Sequence, residues 1–349
     1  MDRPPFFRIA FILLILGGVL LAVPYLFPHD RPLEVTISTK PLAVLPEHSH
    51  DLGEAEGDDG HGVYAYSESV VVPEDMWVTT IEAHMKNAPD STIHHFILKE
   101  MGATDPACPN SSGRTLFLFG RDTRSPQHFG AAPYGIFIPK GTPLALVAMI
   151  HNPHPPEGVG GTYKDVSAVM TVRGVASGGS RTKPLSIRFL VLSDTSYCND
   201  SPEANTFSIP ALRKEYVQQS TTLQGINRGS LTFDGDATLL GFGGHIHAWE
   251  GGNALAVYLN NNLLQLITPH QAGAEPWSWK TAPVDRAVPM KKGDTISLTA
   301  TYENPNVVPT RGAMGIVGLI FWQPSKEAEL LAPYKQTTAT TTLDRYGTF

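Results

Sequence analysis

The side chains best suited to chemistry are histidines carried on strand-like runs. In GGHIHAWEGG, His245 and His247 are separated by one residue. Side chains alternate along a β-strand, so both point to one face. Two imidazoles on one face make half a site for a transition metal, unless they are a plain surface pair. His94 and His95 are adjacent in STIHHFILKE. Adjacent residues of a regular strand face opposite ways, which predicts one structural and one exposed imidazole. Both reach one metal only where the strand ends or twists. His151 closes the run PLALVAMIH and offers a third nitrogen, whereas His154 falls in a Pro-rich turn and is the weaker candidate. His48, His50 and His61 lie in the acidic, glycine-rich stretch EHSHDLGEAEGDDGHG, whose composition cannot build a core. That stretch reads as a solvated loop, or as one that gathers divalent metal.

Positioning these groups falls to strands. Apolar and β-branched runs of strand length follow one another: LEVTIS, SVVV, MWVTTIEAHM, TIHHFILKEM, RTLFLFG, GIFI, PLALVAMIH and VSAVMTVRGVA. GVASGGSRTKP breaks the pattern and reads as a linker around Ala176 to Pro184. Strands resume with LSIRFLVLS, ATLLGFGGHIHAW, NALAVYL, LLQLITP, TISLTATYE and GIVGLIFW. Asn260-Asn261-Asn262 predicts a hairpin turn, and the one helix expected is short, near Ala211 to Gln218. The expected fold is all-β: two tandem antiparallel β-sandwich domains, jelly-roll-like, after an N-terminal transmembrane anchor. The expected limits are 1–30 for the anchor, 33–177 for the first domain with its acidic, His-rich loop at 45–62, 184–326 for the second, and 327–349 for a tail. An internal echo supports two related domains. IPKGTPLALVAMIHNP and VPMKKGDTISLTATYENP, aligned on Gly141 and Gly293, reach Asn152-Pro153 and Asn304-Pro305 at the same distance, with His151 facing Glu303.

Composition sets the outer bounds. The 349 residues fit two domains, and 42% hydrophobic against 17% charged residues supplies real cores. A net charge of −7 with no Lys/Arg run argues against nucleic acid as a partner. Ile9 to Phe27 is an uncharged apolar run long enough to span a bilayer, preceded by Arg3 and Arg8. It is expected to hold the chain in a membrane, with the remainder exported to the periplasm or the cell exterior. A cleaved signal peptide is the rival reading, and no good cleavage site precedes Pro24 or Pro28. The two cysteines, Cys108 and Cys198, leave a disulfide open, and neither belongs to a CxxC site.

The pattern HHF, then IHNP, then HIHAW, then AMGIVGLIFW resembles that of the copper type II, ascorbate-dependent monooxygenases. That family includes peptidylglycine α-hydroxylating monooxygenase and dopamine β-monooxygenase. The likeness runs from about Val35 to Gln323. It implies two coppers per chain: His94, His95 and His151 would hold an electron-transfer copper in the first domain. His245, His247 and Met314 would hold the oxygen-binding copper in the second and act as the catalytic set. Three imidazoles suit a cycling copper, and a thioether favours Cu(I). Without the resemblance, Met314 reads as an ordinary core methionine. Ascorbate is the implied reductant, and dioxygen and a small-molecule substrate are the implied partners.

The chain departs from the peptide-processing members where they hold a substrate carboxylate. Gly243, Ile316 and Gly318 stand at those positions, and none can bind a carboxylate through its side chain. The expected substrate is therefore small and apolar, or amine-bearing, with Trp249, Phe242 and Ile316 as candidate walls or simply core residues. Glu250 and Glu303 read as surface or ion-pair residues. A non-catalytic copper protein for storage, delivery or sensing is the competing reading, and a metal-free β-sandwich module is the third.

Overall fold

The computed structural model describes residues 31–45, 63–105, 108, 111–120, 126–129, 133–150, 152, 161–176, 181–195, 206–247, 251–268 and 277–335. The first half carries β1 (Pro32–Ser38), β2 (Leu42–Leu45), β3 (Val63–Tyr66), β4 (Val70–Val71), β5 (Met76–Lys86) and β6 (Ile93–Met101). It continues with β7 (Gly113–Gly120), β8 (Gln127–His128), β9 (Tyr134–Ile138), β10 (Pro143–Ile150) and β11 (Tyr163–Ala176). The second half begins with β12 (Lys183–Val191), β13 (Phe207–Ile209), β14 (Arg213–Gln219), β15 (Thr221–Leu223), β16 (Ile226–Arg228) and β17 (Ser230–Thr232). Then follow β18 (Ala237–His247), β19 (Gly252–Leu259), β20 (Asn262–Ile267), β21 (Trp277–Met290), β22 (Thr295–Asn304), β23 (Thr310–Ala313) and β24 (Gly315–Trp322). A single turn of α-helix, α1 (Glu327–Leu330), comes after the last strand. The described chain is thus almost wholly β.

The second half repeats the main strand order of the first. One long sheet runs β1-β11-β5-β9-β12-β24-β18-β21, so that its last four strands stand in the same relation as its first four. The two quartets join where β9 and β12 pair in parallel, at Tyr134 with Lys183 and Gly135 with Pro184. Two further sheets, β3-β10-β6-β7 and β14-β22-β19-β20, match in the same way, with β4 on β10 and β17 on β22. The N–H groups of Val72 and Phe233 donate to the carbonyls of Thr142 and Asp294, both at 2.9 Å. Gly141 and Gly293 donate back to Val72 and Phe233 at 2.9 and 2.8 Å. Both glycines have left-handed backbone, at φ +87° and +92°, a conformation that favours glycine. The echo ends on Asn152 and Asn304, each 1% exposed. Their amides donate to the carbonyls of Gly161 at 2.7 Å and Val308 at 2.9 Å. The short sequence echo is therefore a repeat of structure.

Each half closes a hydrophobic core between its two sheets, giving β-sandwich packing. In the first, Ile37, Val78, Ile81, Met170 and Val172 of the long sheet meet Phe96, Leu98, Leu144, Leu146 and Ile150. In the second, Leu190, Leu239, Phe242, Val317 and Leu319 meet Leu255, Val257, Ile296, Leu298 and Tyr302. Full burial of such a side chain contributes roughly 1.5–3 kcal/mol, so two cores of this size are ample for folding.

Several sequence expectations meet the structure here. Asn260 and Asn261, at φ 49° and 66°, form the two-residue turn between β19 and β20, closed by the pairing of Leu259 with Asn262. The helix expected near Ala211 to Gln218 is instead β14, which pairs with β22 from Arg213 with Asn304 to Gln219 with Thr299. Its Lys, Glu and Gln favour helix locally, but an open edge beside β22 overrides that preference. Cys108 is disulfide-bonded, and the chain has one other cysteine, Cys198. The expected membrane run, Ile9 to Phe27, and the His-rich loop lie outside the described residues; among the described residues no helix is long and apolar enough to cross a membrane.

Candidate metal centre

His94 and His95 sit at the start of β6, and a break in register brings them together. On β10, Met149 pairs with His95 while its neighbour Ile150 pairs with Ile93. His94 is thus the extra residue of a β-bulge, a device that re-aims a side chain. The two rings lie side by side, with centroids 4.3 Å apart and planes tilted by 36°. The expectation of one buried and one exposed imidazole does not hold: His94 is 1% and His95 6% exposed. The sequence carried no signal for the bulge.

His245 lies on β18 between Ile316 of β24 and Trp279 of β21. It is 1% exposed, and burial alone pushes its imidazole pKa down to about 4. Its Nε2 stands 3.1 Å from Nε2 of His95. The rings meet edge to face, with centroids 4.8 Å apart and planes at 81°. A histidine of the first half therefore touches a histidine of the second.

Met314 immediately precedes β24, and Gly315 pairs with Ile246. Met314 is 5% exposed and packs with Leu118 and Ile316, bordered by Ile97, Phe189 and Val191. These residues come from β6, β7, β12 and β24, on faces turned away from the two main cores. The hydroxyl of Tyr302 donates to the carbonyl of Met314 and ties β22 to the same spot. Sequence reading did not single out Ile97, Leu118, Phe189, Val191 or Tyr302. One signal was present: LSIRFLVLS is apolar at consecutive positions, the mark of a strand buried on both faces.

The remaining candidates fall as follows. His151, His154, His48, His50, His61, Trp249 and Glu250 lie outside the described residues, as does the side chain of His247. Phe242 belongs to the second core, so it is no wall of the site. Ile316 does border Met314. Glu303 is exposed, as expected. Gly243 and Gly318 pair directly across β18 and β24, and a Cβ on Gly318 would come within 3.0 Å of the Phe189 ring. Where a carboxylate anchor is absent, an aromatic ring covers the backbone.

Among the described residues no group of three or more His, Cys, Asp or Glu side chains is arranged to hold a metal ion. The pair His95 and His245 nevertheless fits one. Imidazole nitrogens bound at ~2.0 Å to a common metal, at an angle of about 90–110°, stand roughly 2.8–3.3 Å apart. The observed separation of 3.1 Å lies in that range. It is also the length of an N–H···N hydrogen bond between two neutral imidazoles. The thioether of Met314 lies in the adjoining apolar cluster, where it would add a soft donor suited to Cu(I).

No protein-family model matches the chain, and no curated protein matches it. Among solved structures it is similar to the major capsid protein P2 from bacteriophage PM2. The identity is 9%, over 83% of this chain and 97% of that one, with a TM-score of 0.34. It is also similar to a beta-porphyranase of glycoside hydrolase family 86 from the human gut bacterium Bacteroides plebeius. There the identity is 10%, over 75% of this chain and 35% of that one, with a TM-score of 0.20. Likeness at this level carries no argument about function.

Proposed function

We propose that the chain is a copper-dependent monooxygenase that hydroxylates a C–H bond of a small, apolar or amine-bearing substrate, with dioxygen as oxidant and ascorbate as reductant. We further read each half as a jelly roll, residues 33–177 and 184–326, exported and held to a membrane by the run from Ile9 to Phe27. The observation that carries the reading is the contact of His95 with His245. The fold brings these imidazoles, 150 residues apart in the chain, within 3.1 Å, a separation that suits two nitrogens on one metal. The bulge at His94, which brings its ring beside that of His95, adds to its support.

Copper, when bound, would supply one-electron redox chemistry and the activation of dioxygen. By the resemblance, His94, His95 and His151 would hold one copper, and His245, His247 and Met314 a second. The chain's own residues do the rest. Burial keeps His245 neutral at physiological pH, the protonation state a metal requires of an imidazole ligand. Leu118, Ile97, Phe189, Val191 and Ile316 pack with Met314 and would keep water from its thioether. Phe189 against the Gly318 backbone offers an aromatic surface and no charge, which favours an apolar ligand over a carboxylate.

The deciding experiment loads the full chain with copper in detergent and measures copper content together with ascorbate-dependent oxygen uptake. Bound copper with uptake abolished by His247→Ala is the expected result. Bound copper with no uptake across apolar and amine substrates would move the reading to a copper-handling protein. The depth of burial of His95, His245 and Met314 is the observation that favours that second reading.

A further inference from the structure

We infer that His95 and His245 bind one and the same metal ion, forming a single centre shared between the two halves of the chain. This rests on the copper reading for the identity of the metal. The resemblance assigns the two residues to different coppers, each within its own domain. The geometry points elsewhere. Their Nε2 atoms are 3.1 Å apart while the ring centroids are 4.8 Å apart, so each ring turns its Nε2 edge toward the other. A metal bound in that gap at ~2.0 Å from one nitrogen is within bonding reach of the second. Two ions, one for each nitrogen, would crowd the same space with like charges in an apolar surround.

The supports of the pair are rigid and come from different sheets. His95 is fixed in β6 between Met149 of β10 and Gly120 of β7. His245 is fixed in β18 between Ile316 and Trp279. Beside this pair, Leu118 and Ile97 of the first half cluster with Met314 and Ile316 of the second. A metal on the pair therefore acts as a clamp: it couples copper binding to the docking of the halves, and its loss loosens the interface.

The test uses the full chain and copper(I) as the probe. Copper per chain is measured for the wild type, His95→Gln, His245→Gln and the double variant, with circular dichroism to show that each is folded. A shared centre predicts that either single change removes the same ion, with a loss of affinity of 100-fold or more. The double variant then loses no further copper. Hydrogen exchange on the wild type gives a reading free of substitutions. One equivalent of copper(I) should protect the segments around His95 and His245 together. Additive losses, or protection of the two segments by separate equivalents, would overturn the shared centre. If those separate coppers still supported oxygen uptake, the monooxygenase reading would stand without it. One shared ion with no uptake would leave the clamp standing and remove the monooxygenase. Absence of any copper binding would remove both.

Discussion

The hydroxyl of Tyr302, fully buried in the second core, donates to the backbone carbonyl of Met314. Met314 follows the short strand β23 and precedes β24, so this bond fixes the Met314 backbone at the entry to β24. Tyr302→Phe leaves a buried carbonyl with one partner fewer, at a cost of about 1–3 kcal/mol. The expected outcome is an earlier denaturant midpoint with unchanged far-ultraviolet circular dichroism, together with weaker retention of copper(I). Full stability in the variant would mean that water replaces the hydroxyl and that the bond does not position Met314.

His245 makes the metal-free chain sensitive to mild acid. Its pKa falls from 6.5 to about 4 on folding because burial disfavours the imidazolium. The unfolded chain therefore binds the extra proton between those values. Stability is full above pH 6.5 and declines as the pH falls toward 4, by about 2–3 kcal/mol at pH 4.5. Asp234 is held below the usual carboxylate range by the Gln323 amide, and Asp236 by the Lys291 side chain. Both therefore titrate below this window. Denaturant midpoints at pH 7.5 and 4.5 should differ clearly in the wild type and much less in His245→Leu. An equal acid sensitivity in both would assign the effect to another group.

What the sequence made legible was local. Strand-length apolar runs, the Asn260–Asn261 turn and the Gly141/Gly293 echo all rest on short-range rules of periodicity, backbone conformation and spacing. Where tertiary pairing decides, local reading failed: Arg213 to Gln219 looks helical until β22 offers it a partner. The bulge at His94 depends on a one-residue mismatch with β10 that neither strand reveals alone. The contact of His95 with His245 depends on how the outer faces of two sheets dock, 150 residues apart in sequence. The histidine pairs were therefore readable as pairs from their spacing, but not the convergence of His95 with His245.

The disulfide at Cys108 bears on that docking. Its only possible partner within the chain is Cys198, which follows β12 in the second half. Closing a loop of this length stabilises by about 4–5 kcal/mol through the unfolded state. Cys108→Ser is expected to lower the melting temperature by many degrees, and reduction of the wild type should reproduce the loss. Mass spectrometry of a non-reducing digest checks the pairing directly. A variant as stable as the wild type would show that apolar contacts and the histidine pair suffice to hold the halves together.

The ring of Phe189 and the backbone of Gly318 form the last testable pair. A Cβ on Gly318 would lie 3.0 Å from Phe189 Cε1 and 3.4 Å from Cδ1, so the ring must shift to admit it. Overpacking of this kind costs about 1–3 kcal/mol. Gly318→Ala is expected to destabilise the wild type, and to be nearly neutral once Phe189→Ala has removed the ring. The coupling between the two changes should reach roughly 1–2 kcal/mol in a double-mutant cycle on denaturant midpoints. The same cycle on activity bears on substrate choice. Loss of the ring should weaken apolar substrates more than amine-bearing ones if Phe189 forms an aromatic surface for the ligand. Equal effects on both would confine Phe189 to packing and remove this support for the proposed apolar substrate.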